Sequence, residues 1–521
     1  MKKQRLIRNG TIIDGTLAPA FRGDVLIDGE RIAAVFHAED PSSRPVDLET
    51  IDVGGKFVVP GFIDAHSHSD AYLVLEPDAP SKISQGVTTE INGQCGGSIA
   101  PRYGAARLSS DWAALLGERL TWRSLAEYRE VLAAAKPALN TIQFIGHNTL
   151  RSSVVGYCAR PLADGELASM IRLLERSLDE GGWGLSTGLI YQPGKYSTPE
   201  EVTALAKATA AKGGFYATHM RSEGERILEA IDEVIELVKR TGIRAEISHL
   251  KTSGRNNWDK IDAVIGKIDG AVASGLLLGS DRYPYCAAGT DLDIVLSDWA
   301  QEGGVPAEIE RIRSSDLRSR IVKEIDASGR DWSTVMIGGV WHPDNKCFSG
   351  RFVSELTDTP GEFIVSVLEK DGFKTGGFFF GMSEENLAKI YSCPWIVPGS
   401  DASLRAPRGP LGADHPHPRA YATMPEFYRR MRALGFSREE VIARMTSVPA
   451  DRFGIAERGR IVAGGFADIV VIGEDEFVAK STFDDPHRFT GGVELVMVNG
   501  SVPYRSGLFT GDRAGCFLSR Q

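Results

Sequence analysis

The sequence predicts an α/β protein in which a (β/α)8 TIM-like barrel is joined to a small β-sandwich domain built from both termini. Its 521 residues are too many for one small domain, and 42% of them are hydrophobic, which is enough for a large core. Short apolar runs alternate with amphipathic helical segments through the middle of the chain, a pattern typical of βα units and a parallel sheet. The two ends contain closely spaced strands and tight turns instead.

The small domain is predicted from its hairpins. Residues 23–35 contain two apolar runs around Asp28-Gly29, and these two residues favour the positive φ angles of a tight turn. The carboxyl end repeats the pattern, with one strand within 465–472 and a hairpin around Asn499-Gly500. We therefore predict one composite domain from residues 1–60 and 455–521.

The barrel is predicted over residues 61–454, where eight apolar runs each end in polar residues. These runs are 57–66, 87–95, 141–147, 183–187, 214–219, 244–249, 275–281 and 394–401. Helical segments lie between them, for example at 165–178, 199–211 and 225–240. The long gap between the seventh and eighth runs predicts an insertion at about 290–350. A doubly wound open sheet is the alternative, but eight units favour a closed barrel, whose catalytic residues come from strand carboxyl ends.

Composition and charge exclude several function classes. The 59 basic and 69 acidic residues give a net charge of −10, and without a basic run this argues against a nucleic-acid or anionic membrane partner. No stretch approaches the roughly 20 apolar residues that span a bilayer, and no run of signal-peptide length follows the amino terminus. The six cysteines have no paired spacing, which is typical of a reducing compartment, so a cytoplasmic location is predicted.

Four histidines at strand ends predict a metal site. His66 and His68 end the first run two residues apart, so both imidazoles point to the same face of a strand and can share a divalent ion. One such pair would often be solvent-facing histidines. However, His219 and His249 end the fifth and sixth runs, so four of only ten histidines lie at strand ends.

Asp401 ends the eighth run and is the candidate catalytic residue. A carboxylate beside a metal can take a proton from water and deliver it to a leaving nitrogen. A Ser-Asp pair before a helix commonly caps that helix instead. The position on the last of eight strands, together with the four histidines, favours catalysis.

These residues resemble the amidohydrolase superfamily, which has His-x-His after strand one, single histidines after strands five and six, and an Asp after strand eight. More closely, the chain resembles the N-acyl-D-amino-acid deacylase, or D-aminoacylase, family. The matching stretches cover nearly the whole chain and are 92–96, 184–189, 218–221, 248–251, 399–401 and 416–419. The resemblance implies a barrel with a small β domain from both termini, in agreement with the fold predicted from the apolar runs and the hairpins.

The resemblance implies that Cys95 is a further metal ligand. Many superfamily members bridge two metals with a carboxylated lysine after the fourth strand, but here Lys195 lies beyond the segment 184–189. The D-aminoacylase family uses a cysteine after the second strand, and a thiolate binds zinc well. The implied cofactor is Zn2+, held tightly by Cys95, His219 and His249, with a second, weaker site at His66 and His68. Burial as a small apolar residue is the ordinary alternative for Cys95.

The resemblance also implies how the substrate is held. Lys251, Tyr283 and Arg419 match positions that bind the substrate α-carboxylate, for which Arg offers a bidentate grip and Lys a point charge. Tyr191 lies at a strand end and is a candidate for the acyl pocket, as is His147. Surface ion pairs and plain packing are the ordinary alternatives for these residues.

The implied activity is hydrolysis of the linear amide bond of a small-molecule partner, an N-acyl-D-amino acid. The segment 289–299 contains three acids and no Lys or Arg, whereas Leu292, Ile294, Leu296 and Trp299 offer an apolar lining. Arg282 alternates with its neighbours and is expected to point away from the barrel mouth. A neutral, hydrophobic D side chain is therefore predicted over D-Asp or D-Glu.

Two other functions remain as alternatives. A cyclic-amide hydrolase of the dihydroorotase or hydantoinase kind shares the histidine pattern, but the missing fourth-strand lysine argues against it. A non-catalytic scaffold with the same fold would be expected to have lost ligands, and all five predicted metal ligands and Asp401 are present. The sequence does not indicate an oligomeric state.

Overall fold

The computed structural model describes residues 4–39, 45, 48–108 and 110–520. The strands of the described residues are, in chain order, β1 (Gln4–Ile12), β2 (Phe21–Asp28), β3 (Arg31–His37), β4 (Glu49–Asp52), β5 (Phe57–Pro60), β6 (Phe62–Asp64), β7 (Val87–Asn92), β8 (Asn140–Gln143), β9 (Ile145–Gly146), β10 (Gly184–Gly188), β11 (Phe215–His219), β12 (Arg244–Ile247), β13 (Leu278–Arg282), β14 (Ala288–Asp291), β15 (Val335–Ile337), β16 (Gly376–Phe379), β17 (Ile396–Pro398), β18 (Ile469–Ile472), β19 (Val493–Val498), β20 (Ser501–Arg505) and β21 (Leu508–Phe509).

The α-helices of the described residues are α1 (Tyr72–Leu75), α2 (Pro80–Ile83), α3 (Ser110–Leu116), α4 (Leu125–Ala135), α5 (His147–Val154), α6 (Glu166–Asp179), α7 (Pro199–Ala211), α8 (Ile227–Thr241), α9 (Ile261–Ala273), α10 (Asp298–Gln301), α11 (Val305–Arg313), α12 (Ser315–Asp326), α13 (Val353–Leu356), α14 (Pro360–Asp371), α15 (Glu384–Ser392), α16 (Arg419–Ala433), α17 (Arg438–Met445) and α18 (Ser447–Phe453). In the part of the chain that the structure describes, no helix has the length and apolar character needed to cross a bilayer.

Eight parallel strands form a closed barrel. The strands β6, β7 and β8 pair in one series, and β9 to β13 continue through a second series to β17. Phe144 separates β8 from β9, which together make the third barrel strand. The circle closes between the eighth and first strands, where Ala65 N donates to Pro398 O at 3.2 Å and Ser67 bridges Ala402 in parallel. All eight predicted runs contain a barrel strand, but the first is divided, because β5 joins the other sheet and only β6 enters the barrel.

The two termini share one sheet with the order β21-β20-β19-β18-β5-β1-β2-β3, with β4 also paired to β1. Strand β5 joins the two ends, since it pairs parallel with β1 and antiparallel with β18. Both predicted hairpins, β2–β3 and β19–β20, are confirmed. Asn499 and Gly500 have φ angles of 47° and 75°, as a two-residue hairpin turn requires.

An insertion with its own core lies between the seventh and eighth barrel strands. Its sheet has the antiparallel order β14-β16-β15, and α10 to α14 pack around it. The predicted boundary at 350 is too early, because β16 (Gly376–Phe379) is the central strand of this sheet. The helix α14, which precedes β16, contributes Ile364, Val365 and Leu368 to the same core.

Candidate metal centre and its cavity

The barrel brings all six predicted metal and catalytic residues to one end. His66 and His68 follow the first barrel strand, His219 ends the fifth, and Cys95, His249 and Asp401 lie two or three residues beyond the ends of the second, sixth and eighth strands. The Cys95 Sγ atom lies 3.4 Å from His66 Nε2 and 3.3 Å from His249 Nε2. Asp401 Oδ1 lies 3.1 Å from His68 Nε2. One donor atom each of His66, Cys95, His249 and Asp401 lies within 4.8 Å of the others, as a shared cation requires.

The state of two side chains tests whether this group suits a metal. His219 is 4% exposed, and neither of its ring nitrogens has a hydrogen-bond partner among the described residues. A buried imidazole without partners is costly, and a cation beside it would satisfy it. Although burial alone would raise the pKa of the Cys95 thiol, the positive charges of His66 and His249 lower it well below its usual range. The donor set therefore favours a thiolate–imidazole site of the kind that zinc prefers.

The backbone at the metal centre is unusual. Cys95, His249 and Asp401 have φ angles of 52°, 37° and 49°, in the left-handed region that residues with a side chain rarely adopt. Such positions cost about 1–3 kcal/mol each and persist where surrounding contacts hold them. Here Asp281 Oδ1 accepts from His249 N at 2.9 Å, and His66 O accepts from Asp401 N at 2.8 Å.

Asp281 is a functional residue that the sequence analysis missed. This buried carboxylate ends the seventh strand, and its Oδ2 lies 3.1 Å from Nδ1 of His66. When that nitrogen donates its proton to Asp281, the Nε2 lone pair of His66 faces Cys95, in the tautomer that a metal ligand needs. Its position at the carboxyl end of a barrel strand is the signal that could have identified it.

Glu223 was missed as well, although it lies four residues after His219. Its Oε1 accepts from Lys251 Nζ at 2.5 Å and lies 2.9 Å from His249 Nδ1 and 3.7 Å from His219 Nε2. Although burial would raise the pKa of Glu223, the charges of His219, Lys251 and His249 lower it below its usual range. Glu223 thus holds two histidines and the predicted substrate lysine in one cluster.

A buried lysine supports the other side of the site. Lys82 is fully buried, and its ammonium donates to Asp64 Oδ2 at 2.7 Å, Ser400 Oγ at 2.8 Å and Ala402 O at 2.9 Å. These partners flank His66 in the first strand and Asp401 after the eighth. Because the charge is paired and its donors are satisfied, Lys82 can hold the two strand ends together.

The predicted substrate residues line the same cavity as the metal donors. Arg419 Nη1 lies 2.8 Å from Asp401 Oδ2, and Arg419 Nη2 donates to Gly289 O at 3.1 Å. The guanidinium lies 4.5 Å from the ring centroid of Tyr283, and Tyr191 packs edge-on against His219. Burial would raise the pKa of Asp401, but the charges of Arg419 and the nearby histidines hold it well below its usual range.

The cavity has a volume of about 640 Å³, and its walls are built from several strand ends and from the insertion. The prediction that Leu292, Leu296 and Trp299 line it is wrong, because these residues pack in the core of the insertion. Ile294 does line it, together with Asp291. The alternation that should have exposed all four apolar side chains is broken by a 3-10 turn at Leu292–Val295.

Two other side chains are placed away from the cavity. His147 is fully buried, lies 2.8 Å from Glu201 Oε1 through its Nε2, and does not line the cavity, so it is a packing residue. Arg282 also lies outside the cavity lining, as predicted, and donates to Tyr285 O at 2.8 Å.

Comparison with known proteins connects this geometry to a family. The model described as "Amidohydrolase family" matches residues 49–342 and 392–504. The N-acyl-D-glutamate deacylase of Alcaligenes xylosoxydans xylosoxydans is 34% identical over 504 residues, which cover 96% of this chain and 93% of the relative. The D-aminoacylase of the same organism is 33% identical over 522 residues, covering 99% and 97%.

A solved structure matches over the full length. The N-acyl-D-glutamate deacylase from Bordetella bronchiseptica, complexed with zinc and a phosphonate inhibitor that mimics the tetrahedral intermediate, has a TM-score of 0.83. It is 29% identical, and the match covers 100% of both chains. The barrel, the shared terminal sheet and the insertion therefore belong to an architecture that is already known.

Proposed function

The chain belongs to the N-acyl-D-amino-acid deacylase family of the amidohydrolase superfamily, and from that premise we propose that it hydrolyses N-acyl-D-amino acids in a zinc-dependent reaction. The products are a carboxylate and a free D-amino acid. The observation that carries the proposal is the cluster of donor atoms from Cys95, His66, His249 and Asp401, with Cys95, His249 and Asp401 lining one cavity beside His68 and His219. The zinc-bound relative with a tetrahedral-intermediate mimic supports the same chemistry.

Cys95, His219 and His249 would hold the tight zinc ion, and His66 and His68 would complete a weaker second site. The two ring nitrogens of His219, which have no hydrogen-bond partner among the described residues, and the lowered pKa of Cys95 support this assignment. When bound, zinc supplies Lewis-acid chemistry, since it polarises a carbonyl and lowers the pKa of water. Asp281 and Glu223 keep His66 and His249 oriented toward the ion.

Asp401 is proposed to move the proton. It is positioned between His68 and Arg419, whose contacts keep it ionised, and the ionised carboxylate is the form that can accept a proton from the attacking water. The same carboxyl group then delivers the proton to the departing amine nitrogen. Arg419, Lys251 and Tyr283 are proposed to bind the substrate α-carboxylate, and this contact would draw Arg419 away from Asp401 at the moment of reaction.

A neutral, hydrophobic D side chain is proposed to be preferred. Ile294, Phe378 and Phe379 give the insertion side of the cavity an apolar surface that suits a neutral side chain, beside the charged groups of Asp291, Arg330 and Lys346. Lys374 also lines this side of the cavity, and its substitution tests whether a lysine there binds an acidic side chain. If Lys374 held D-Glu, then Lys374→Met would lower kcat/KM for N-acetyl-D-Glu and leave N-acetyl-D-Leu unaffected.

The test is a panel of N-acetyl-D- and L-amino acids assayed together with a zinc count. We expect turnover of D-Leu, D-Met and D-Phe derivatives above D-Glu, with at least one zinc ion per chain. A clear preference for D-Glu would contradict the side-chain proposal alone. Turnover of L-isomers only, or zinc-loaded protein inactive on the whole panel, would contradict the function.

A further inference from the structure

The cavity has a second wall that the reaction described above does not use. Its apolar side chains are Leu108, Trp112 and Leu115 from the segment that follows the second barrel strand, Tyr72 from the segment after the first strand and Leu411 from the segment after the eighth. The main chain of Gly97 and Ser98 borders it, directly after the ligand Cys95. We call these five side chains the apolar wall.

The barrel order shows which part of the substrate faces this wall. Lys251, Tyr283 and Arg419 follow the sixth, seventh and eighth strands, so the α-carboxylate is held in that sector. In a closed ring of eight strands, the second strand lies across from the sixth and the third across from the seventh. The scissile amide lies over the metal donors in the middle. The acyl group, on the far side of the amide, therefore faces the part of the apolar wall that follows the second strand, with Leu108, Trp112 and Leu115.

The wall is packed and uncharged at its surface. Tyr72 is 1% exposed and Trp112 is 9% exposed, and their rings meet edge-on with centroids 6.3 Å apart. Leu411 is buried, whereas Leu108 and Leu115 are partly buried and rest on the main core. Because these side chains pack against the main core, the wall is already formed in the free protein. An apolar group can therefore bind to it without a prior rearrangement of the side chains.

Two cations, Arg405 and Arg107, lie next to the wall. Arg405 is paired with Asp414 through Nε at 2.9 Å, and its guanidinium lies 5.1 Å from the Tyr72 ring centroid. Arg107 is an exposed side chain that lies 5.7 Å from the ring of Tyr157. An acetyl group presents a single methyl group and would contact only a small part of the apolar wall.

From this geometry, and resting on the proposed deacylase function, we infer that the enzyme acts on N-acyl-D-amino acids whose acyl group is larger and more apolar than acetyl. The class comprises medium-chain aliphatic acyl groups, of about six carbons, and arylacetyl groups. Each additional methylene that the wall buries in the transition state raises kcat/KM about fourfold. An acyl chain of six carbons should therefore exceed acetyl by more than tenfold.

The experiment compares acyl groups on one D-amino acid with the zinc-loaded enzyme. N-acetyl-, N-butyryl-, N-hexanoyl- and N-phenylacetyl-D-Leu are assayed beside N-succinyl-D-Leu, an anionic analogue of the butyryl compound. We expect kcat/KM to rise from acetyl to hexanoyl and phenylacetyl, with succinyl below butyryl. Equal values along the series, or succinyl as the best substrate, would overturn the inference. Loss of activity on every compound would instead count against the deacylase function.

One variant assigns the effect to the apolar wall. Leu115→Gln should reduce the ratio of hexanoyl to acetyl kcat/KM from more than tenfold to within about threefold, because the polar amide removes apolar contact. Leu277→Gln is the matched control, since Leu277 is 55% exposed and outside the cavity, and its ratio should equal that of the parent enzyme. An unchanged ratio in folded Leu115→Gln protein would show that the acyl group does not contact this wall.

Discussion

Replacing Glu223 with Gln tests the contact that joins the metal centre to the substrate lysine. The Glu223 carboxylate accepts from Lys251 Nζ at 2.5 Å and approaches His249 Nδ1 to 2.9 Å. Glutamine has the same size but only one oxygen acceptor and no charge. Glu223→Gln therefore weakens both charged contacts and frees His249 to rotate, while the fold around it stays packed.

The expected magnitude follows from those distances. Outer partners of metal-binding histidines typically contribute about 10- to 100-fold to metal affinity or activity. Glu223 serves two histidines, since it also lies 3.7 Å from His219 Nε2, so we expect the upper half of that range. A loss of about 30- to 100-fold in zinc affinity corresponds to about 2–3 kcal/mol.

The assay titrates zinc-stripped protein with zinc against a chromophoric chelator and then measures kcat/KM at saturating zinc. Glu225→Gln is the matched control. Glu225 is exposed and lies two residues after Glu223, so its substitution removes the same charge outside the cluster. The parent and control should agree within about twofold, the usual scale of a surface change. Equal zinc affinity in Glu223→Gln and the control would refute the assignment of Glu223 as a support of the metal site.

Three further outcomes are expected. Cys95→Ala should lose both tight zinc and turnover yet remain folded, so full zinc content with activity would contradict its assignment. Asp401→Asn should keep zinc and lose about 10²- to 10⁴-fold in kcat, and near-normal turnover would indicate a structural role instead. Burial and the nearby Asp293 raise the pKa of Glu308 from 4.5 to about 9. Folding therefore favours its protonated form, so its contribution to the free energy of unfolding should fall as pH rises from about 4.5 to 9. Glu308→Gln should make the loss of stability between pH 5 and pH 8 smaller than in the parent enzyme, as unfolding curves at the two pH values would show.

The barrel was predictable from sequence because its signals are local. Each strand is a short apolar run, and the residue type that follows it is polar wherever the strand opens into the cavity. His219, His249 and Asp401 were therefore recognisable as chemistry at strand ends. The terminal sheet was predictable for the same reason, since Asn499-Gly500 specifies a hairpin without help from distant residues.

The supporting residues were not predictable in this way. Glu223 lies in a loop, and its contacts with Lys251 and His249 form only in the folded protein, so no local sequence pattern identifies its role. The positive φ angles of Cys95 and Asp401 are likewise imposed by tertiary contacts, because both residues prefer other backbone conformations when isolated. The insertion shows the same limit, since its cavity wall takes Phe378 from the strand Gly376–Phe379, which lies far along the chain from the segment 289–299.

The division of the cavity into sectors has a stereochemical consequence for the proposed reaction. The α-carbon of the substrate carries four groups, and three of them have separate places: the amide at the metal donors, the carboxylate at Arg419, and the side chain at the insertion wall with Ile294 and Phe378. In the opposite enantiomer, bound through the same amide and carboxylate contacts, the side chain would point away from that wall and take the position of the α-hydrogen atom. A site that holds three groups in separate places must therefore select one enantiomer. Making the acyl side alone more polar, as Leu115→Gln does, should change acyl preference without changing the preferred hand.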